Sequence, residues 1–397
     1  MDFKLSPELE AVRVAVRRFV EERIMPSERQ IIDEDKTEKI DRLVELQREA
    51  RAAGLWVPHL PRELGGLGLG PMGMCVLFRE MGRTPVGARV FNCDAPDQGN
   101  MDLLLKTASP SIQKRWLEPL VAAEITSAFC MTEPAPGAGA DPANLKTTAV
   151  KKGEDWVIDG HKWYSTGGGR AAFLIVMAKT SDDPKDGATM FVVDRKAEGV
   201  EHVRDIETLS APLLQHREAE MRFHSVKVGS DAVLGKVGDG FRLAQRRLVP
   251  ARLTHCMRWL GLAARTLHLA KRYVLERESF GKKLAQHQLI QQMFAEAATG
   301  IHAGNLMTFH TAWMLEQGLE KEARPYSSMA KVHVARLLVK TLDDAIQMHG
   351  GLGYSTDLPF ADWYRHARAA RIADGPDEVH QALIARDFLR GAFEVLI

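Results

Sequence analysis

The sequence has few cysteines and no arrangement of them that would hold a metal. Only four of the 397 residues are cysteines, and they are far apart: Cys75, Cys93, Cys130 and Cys256. No CxxC pair or Cys/His cluster occurs, which argues against a structural zinc site and favours a reducing compartment. We therefore predict no metal centre and a cytoplasmic location.

Long hydrophobic runs and an excess of charge of one sign are also lacking. No apolar stretch approaches the roughly 18 residues that suggest a membrane span, and the N-terminal segment mixes acidic and basic residues without a signal core. Lys and Arg together number 53, against 52 Asp and Glu. No basic face therefore suggests nucleic acid or a membrane surface as a partner.

What is present divides the chain into three segments. Residues 1–127 have the helical period, which begins with Ser6 as N-cap and Pro7 in the first turn. Residues 128–240 contain the β-rich runs FLIVMA and ATMFVVD, and WVIDGHKW predicts a hairpin that turns at Asp159-Gly160. Helical spacing returns over residues 241–397. Because strand follows strand without intervening helices, the predicted class is α+β, mostly α, rather than a dinucleotide-binding α/β sheet.

Two stretches of the β segment have features of a ligand site. ITSAFCMTEPAPGAGADPANLKTTA, residues 125–149, combines Thr-Glu-Pro with a Gly/Ala loop, and small residues allow backbone N–H groups to approach a ligand closely. GHKWYSTGGGR, residues 160–170, offers flat aromatics that could back a planar ring, and hydroxyls that could bond a ring nitrogen. Taken alone, the first stretch is better explained as a loop that joins two domains, and the second as a packed hairpin with a flexible turn.

Three further motifs lie in the helical C-terminal segment. LERESFGKKLAQHQLIQQMFAE, residues 275–296, places Arg277 and a Phe280-Gly281 turn before a helix, where an arginine can hold phosphate or simply be solvated. AIQMHGGLGYSTD, residues 345–357, ends a helix at two glycines. In ARAARIADGPDEVHQALIAR, residues 367–386, Gly375-Pro376 breaks the helix, so that Asp374 is either a cap or a base.

Taken together and in this order, the motifs resemble the acyl-CoA dehydrogenase family over essentially the whole chain, especially a branch with ADGPDEVH near its C-terminus. The resemblance implies an N-terminal helical domain over 1–127, a middle β domain over 128–240 and a C-terminal four-helix bundle over 241–397. It further implies bound FAD, an acyl-CoA substrate, a role in fatty acid metabolism, an electron-transfer flavoprotein as electron acceptor, and a homodimer or homotetramer with shared sites.

The resemblance also assigns roles to individual residues. Contacts to the flavin ring system are implied for Phe129, Met131, Thr132, Tyr164 and Thr166, with Tyr164 covering one face and Thr166 bonding N5. The phosphate and adenosine end of the FAD of a neighbouring subunit would be served by Arg277, Phe280, Gln347 and Gly351.

Two positions depart from the family pattern. Ala140 stands where the family loop usually has a serine, and Asp374 stands where much of the family has a catalytic glutamate. The other known position of the base holds Ala251, next to Arg252. Asp is shorter than Glu by roughly 1.5 Å, and a misplacement of about 1 Å can slow a reaction on the order of 100-fold. We expect Asp374 to be the base and the substrate to be unusual. Arg252 either orients Asp374 or is a structural arginine.

Several hypotheses about the function remain open. The favoured one is an FAD-dependent dehydrogenase in which Asp374 takes the α-proton of an acyl-CoA and a hydride passes to flavin N5, giving a 2-enoyl-CoA. On phosphorylated 4-hydroxyacyl-CoAs, which this branch suggests, the reaction would be a redox-neutral elimination. The alternatives are a nitroalkane-oxidase-like flavoprotein, which also has an aspartate at this place, and a non-catalytic flavin-binding protein in which Asp374 is merely a cap.

Overall fold

The computed structural model describes residues 4–139, 141–183, 187–210 and 217–394. Helices form the two ends of this chain and strands form the middle, so the predicted α+β, mostly helical class is confirmed. Ala140, one of the two departures from the family pattern, lies outside the described residues. Within the described ranges, no helix is both long and apolar enough to cross a bilayer.

The N-terminal helices pack against the C-terminal ones through a common core. The first helix begins as predicted, because Ser6 Oγ accepts a hydrogen bond of 3.2 Å from the N–H of Leu9 and Pro7 occupies the first helical position. Val16 and Phe78 belong to the same buried cluster as Leu260, far along the chain. The α-helices of this part are α1 (Pro7–Phe19), α2 (Glu28–Lys36), α3 (Asp41–Ala52), α4 (Pro71–Met81), α5 (Gly87–Val90), α6 (Asp97–Thr107), α7 (Pro110–Ile112) and α8 (Glu118–Val121).

A mixed β-sheet follows. Its strands in the described residues are β1 (Ser127–Cys130), β2 (Thr148–Lys152), β3 (Asp155–Thr166), β4 (Phe173–Lys179), β5 (Ala188–Asp194), β6 (Val200–Ile206), β7 (Glu218–Gly229) and β8 (Val233–Leu234). They are ordered β6-β7-β3-β2-β4-β5-β8, and β1 runs parallel to β4. The two predicted apolar runs form β4 and β5, which are buried along all but their last residues. Such continuous apolar runs are typical of strands covered on both faces.

The predicted hairpin at Asp159-Gly160 is wrong, since both residues lie inside the single strand β3. The pairing with β7 shifts register between Ile158 and Gly160, as at a β-bulge. Asp159 Oδ1 accepts a 2.7 Å bond from the N–H of Ser225 at this irregularity. A Cβ on Gly160 would lie 2.4 Å from Thr147 Cγ2. The glycine therefore permits close packing within the sheet rather than a turn.

The C-terminal part is built from long helices. They are α9 (Gly240–Glu276), α10 (Gln288–Glu316), α11 (Ala323–His349), α12 (Gly351–Tyr354), α13 (Phe360–Ala367) and α14 (Asp377–Leu389), with a small hairpin of β9 (Glu278–Ser279) and β10 (Lys282–Lys283) before α10. Helix α11 has an apolar seam, in which Val332, Ala335 and Leu342 are buried. The predicted break is also present, because a 3-10 turn ends at Arg371 and α14 begins only at Asp377.

Candidate active site

A cleft of about 1930 Å³ lies between the sheet and the C-terminal helices. Its walls contain seven of the residues singled out in the sequence: Phe129, Met131, Thr132, Tyr164, Thr166, Arg252 and Asp374. The volume exceeds the roughly 300–1,000 Å³ of common small-ligand pockets. The cleft therefore has room for more than one small ligand.

The other four residues singled out lie outside this cleft. Arg277 is exposed at the C-terminal end of α9, and Phe280 is 95% exposed at the tip of the β9–β10 hairpin. Phe280 has φ +52° and Gly281 has φ +77°, so the predicted turn is present. Gln347 and Gly351 are exposed where α11 ends and α12 begins. These four residues are therefore exposed to solvent in this chain and do not line the cleft.

The strand-side wall of the cleft is fixed by a buried ion pair. Lys162 Nζ donates to Glu133 Oε1 at 2.8 Å and to the carbonyl of Met131 at 3.0 Å. Glu133 also accepts bonds from the backbone N–H groups of Ala138, Lys146 and Thr147. Burial alone would raise the pKa of Glu133, but Lys162 and these donors lower it to about 2. The pair thereby holds the backbone next to Phe129, Met131 and Thr132 in one conformation.

Tyr164 and Thr166 present an aromatic ring and a hydroxyl on the same wall. Tyr164 is held at φ +49°, is 48% exposed and packs edge-on against Trp163. Such a conformation is uncommon outside glycine and concentrates at functional sites. Thr166 Oγ1 donates to Glu218 Oε2 at 2.9 Å. Because the hydroxyl proton is committed to Glu218, a lone pair of Thr166 is left to accept a bond from a ligand.

Asp374 occupies the helix break and is held there through its backbone. Its φ is +53°, and its carbonyl accepts bonds from Arg252 Nε at 3.2 Å and His380 Nε2 at 3.1 Å. The next carbonyl, that of Gly375, accepts a 2.6 Å bond from Lys331 Nζ, whose side chain is fully buried. Side chains from α9, α11 and α14 therefore fix this loop against the cleft.

The carboxylate of Asp374 is not engaged in capping α14. That helix has no side-chain cap, and Asp374 Oδ2 instead lies 3.1 Å from His255 Nε2. The contact is short but poorly aligned, and Oδ2 has no well-oriented donor among the described residues. Burial would raise the pKa of Asp374, but His255, Arg247 and Arg252 lower it well below its usual range. The cleft thus holds an ionised carboxylate at neutral pH.

Arg247 places a buried positive charge in the same cleft. Its Nε donates to Asn100 Oδ1 at 3.0 Å, its Nη2 donates to the carbonyl of Pro96 at 3.3 Å, and its guanidinium lies 4.1 Å from the ring centre of Phe129. A Cβ on Gly99 would lie 3.1 Å from Arg247 Nε, so this glycine gives the arginine room. Burial lowers the pKa of Arg247 to about 10, which still leaves it charged at neutral pH.

Sequence reasoning missed His255, Arg247, Lys331 and Glu218. A signal existed for His255, because Arg252, His255 and Arg258 recur at three-residue steps on one helix. A lysine inside the apolar seam of α11 was also a signal, since lysine is almost never fully buried without a partner. The sequence contains no comparable signal for Glu218, because its pairing with Thr166 depends on the register of β3 and β7.

The fold and the cleft together define an α+β protein of three parts. The carboxylate of Asp374, on a loop between two helices, faces a ligand-binding cleft beside the β-sheet. Sequence models of three acyl-CoA dehydrogenase domains match this chain: the N-terminal domain over residues 6–124, the middle domain over 128–226 and the C-terminal domain over 238–389. The chain belongs to the acyl-CoA dehydrogenase family of oxidoreductases.

Individual relatives support this assignment. The chain is 38% identical to the probable acyl-CoA dehydrogenase FadE2 of Mycobacterium tuberculosis, over 86% of this chain and 84% of the relative. It is 35% identical to acyl-CoA dehydrogenase family member 11 of Gallus gallus, over a match that covers 97% of this chain but only 51% of that protein. The chain thus spans about half the length of that relative. A solved structure from Mycobacterium abscessus, assigned to the acyl-CoA dehydrogenases, has 36% identity and a TM-score of 0.92, covering 98% of this chain and 100% of that one.

Proposed function

We propose that this chain is an FAD-dependent acyl-CoA dehydrogenase in which Asp374 removes the α-proton of an acyl-CoA thioester. The observation that carries the proposal is the carboxylate of Asp374, ionised and facing the cleft from a loop fixed by Arg252, Lys331 and His380. An ionised carboxylate can accept a proton, whereas a capping carboxylate would be occupied at the helix end. The left-handed backbone at Asp374 supports its presentation from the loop despite the short side chain.

The residues of the cleft fit a flavin. An exposed aromatic ring, that of Tyr164, can cover a planar ring. The Thr166 hydroxyl retains a lone pair that can accept a bond from a ring N–H, whereas its own proton is directed to Glu218 rather than to N5. Phe129, Met131 and Thr132 line the adjoining wall. Bound there, FAD would supply the hydride acceptor that protein side chains lack. Asp374 and Thr166 both line the cleft, so proton removal and cofactor contact belong to one site.

The substrate we propose carries a hydroxyl or an anionic group on its acyl chain. Arg247 is buried in the cleft and, among the described residues, bonds to an amide and a carbonyl rather than to a carboxylate. The negative charges of Asp374, Asp102 and Asp97 offset part of its desolvation. A hydroxyl or anionic group on the acyl chain would offset more, whereas a plain alkyl chain would offset none. This argument also supports the second candidate reaction, a redox-neutral elimination on a phosphorylated 4-hydroxyacyl-CoA, in which Asp374 again removes the proton.

We further propose that the site is shared between subunits of a homodimer or homotetramer. Phe280 is almost fully exposed at a hairpin tip, and Arg277, Gln347 and Gly351 are exposed outside the cleft of their own chain. These positions suit contact with the phosphate and adenosine end of a cofactor in a neighbouring subunit. For net oxidation, an electron-transfer flavoprotein is the proposed electron acceptor.

The decisive experiment is anaerobic mixing of the purified holoprotein with straight-chain, branched and 4-hydroxyacyl-CoAs, the last with and without phosphate. Flavin absorbance and products would be followed in wild type, Asp374→Asn and Glu378→Gln. Glu378 is an exposed acid four residues away, and its substitution makes the same acid-to-amide change. We expect bleaching, or product formation without lasting bleaching in the case of elimination, in wild type and Glu378→Gln only.

Other outcomes decide against the proposal. If Asp374→Asn retains the rate of the wild type with every active thioester, Asp374 is not the base. If the flavin is reduced by nitroalkanes and reoxidised by oxygen, while thioesters have no effect, the nitroalkane-oxidase-like alternative replaces the proposal. A protein that binds flavin but converts neither kind of compound would be the non-catalytic alternative.

A further inference from the structure

The orientation of the His255 ring is determined by its second nitrogen. His255 Nδ1 lies 2.8 Å from Arg258 Nη2, and a guanidinium has only donors. Nδ1 must therefore accept, which places the single ring proton on Nε2, the nitrogen that faces Asp374. Arg258 is itself paired with Asp94 through Nη1, and the His255 ring stacks on Trp259 with 5.4 Å between ring centroids. The imidazole is thus fixed from two sides.

We infer that His255 is a positioning residue for Asp374: its Nε2–H lies beside one carboxylate oxygen, Oδ2, and attracts it electrostatically although the two are not aligned as a full hydrogen bond, which keeps the carboxylate in place at the cleft. Three observations support this. The Nε2–Oδ2 distance is 3.1 Å, His255 and Asp374 both line the cleft, and Arg258 excludes the tautomer that would leave Nε2 without a proton. The inference rests on the proposed role of Asp374 as the base.

The remaining charged and titratable groups around Asp374 act differently. They are Arg247 and Arg252 on α9, Lys331 on α11 and His380 on α14. Arg252, Lys331 and His380 contact backbone carbonyls of the loop rather than the carboxylate. Burial lowers the pKa of His380 to about 4, so it stays neutral above that pH. Among the residues that the structure describes, His255 is therefore the nearest donor to the carboxylate itself.

The test uses substitutions that differ in reach. His255→Gln places an amide N–H near the position of Nε2 and keeps a donor toward Asp374. His255→Asn is one methylene shorter, so it remains polar but its amide falls short of the carboxylate. His255→Leu retains bulk and has no donor. The probes are butanoyl-CoA and 4-hydroxypentanoyl-CoA in D₂O, and mass spectrometry follows exchange of the α-hydrogen, a readout of proton removal that is separate from flavin reduction.

We expect His255→Asn and His255→Leu to slow α-exchange on the order of 10- to 100-fold at similar KM, because a carboxylate misplaced by about 1 Å loses that much. His255→Gln should stay within several-fold of wild type. Loss of the donor also raises the pKa of Asp374, so the acid limb of the exchange rate should move to higher pH in the Asn and Leu variants. If His255 had a purely structural role, the acid limb of the exchange rate would stay at the same pH, and the Gln and Asn variants would not differ in rate.

The failures can be told apart. If Asp374→Asn abolishes exchange but the Asn and Leu variants of His255 match wild type in rate and pH limb, the inference about His255 is wrong and the base assignment stands. The inference is equally wrong if Gln is as slow as Asn. If exchange persists in Asp374→Asn, or if wild type exchanges neither probe, then Asp374 is not the base and His255 has no role in positioning it.

Discussion

Lys162 and Glu133 form an ion pair of 2.8 Å in which neither partner is accessible to water, with side-chain exposures of 0% and 2%. The pair joins β3 to the loop that follows β1, and so determines where Phe129, Met131 and Thr132 face the cleft. Because the carboxylate also accepts three backbone N–H bonds, its charge is fully compensated inside the protein.

Lys162→Met should therefore be strongly destabilising. Removing one partner of a buried pair leaves an uncompensated charge and commonly costs about 3–5 kcal/mol. We expect a loss of this size in the free energy of unfolding, measured by urea titration of the holoprotein. The double variant Lys162→Met, Glu133→Gln should lose less than the single one. A single variant that costs under about 1 kcal/mol would show that the charge is hydrated after all.

The pH dependence of stability should carry the signature of Glu133. Its pKa in the folded protein is about 2, below the roughly 4.3 of an unfolded glutamate. A depressed folded-state pKa stabilises the protein above pH 4.3, and this contribution is lost as the pH falls toward 2. Glu133→Gln should flatten the acid limb of the unfolding free energy relative to wild type between about pH 4.5 and 2.5. Parallel limbs would contradict the assignment.

The sequence predicted the fold class, the helix break and the apolar strands β4 and β5, because these depend on local periodicity and on Gly and Pro. It mispredicted Asp159-Gly160, since a turn dipeptide also suits a bulge when a neighbour such as Thr147 requires a residue without a Cβ. The pairings of His255 with Asp374 and of Thr166 with Glu218 depend on long-range packing and sheet register, which one sequence does not display.

Gly375→Ala should impair the site without unfolding the protein. Gly375 has φ +106°, and a Cβ there would lie 2.8 Å from His380 Nε2, so the loop that carries Asp374 must shift. A shift of about 1 Å would lower the rate of α-hydrogen exchange on the order of 100-fold. Gly318→Ala is the matched control, because Gly318 has φ +74° and a Cβ there would meet nothing within 4 Å. Equal effects of the two substitutions would point to general backbone strain.

Phe280→Ala should weaken cofactor retention rather than folding. Its ring is 95% exposed and supports little of the packing of its own chain, but aromatic anchors at interfaces often contribute about 2 kcal/mol or more, equivalent to roughly 30-fold in affinity. We expect a lower flavin-to-protein ratio after gel filtration at low concentration, with an unchanged melting temperature of the apoprotein. Val150→Ala, a change at another exposed apolar side chain, should retain the flavin. If Phe280→Ala retains all of its flavin, Phe280 does not belong to the shared site.

Arg247→Met should change which acyl chains are accepted. The substitution removes a cation but keeps an unbranched side chain beside Phe129 and Gly99. Plain acyl-CoAs should therefore lose less activity than 4-substituted ones, and any loss through the pKa of Asp374 should be common to both. A charge-assisted hydrogen bond contributes about 1.5–3 kcal/mol, so kcat/KM for 4-hydroxy or phosphorylated acyl-CoAs should fall by roughly 10- to 150-fold. The measurement is the ratio of kcat/KM for each 4-substituted thioester to that for its unsubstituted counterpart. Because Arg247 also bonds to Asn100 and the carbonyl of Pro96, a structural role would instead lower both values together and leave the ratio unchanged.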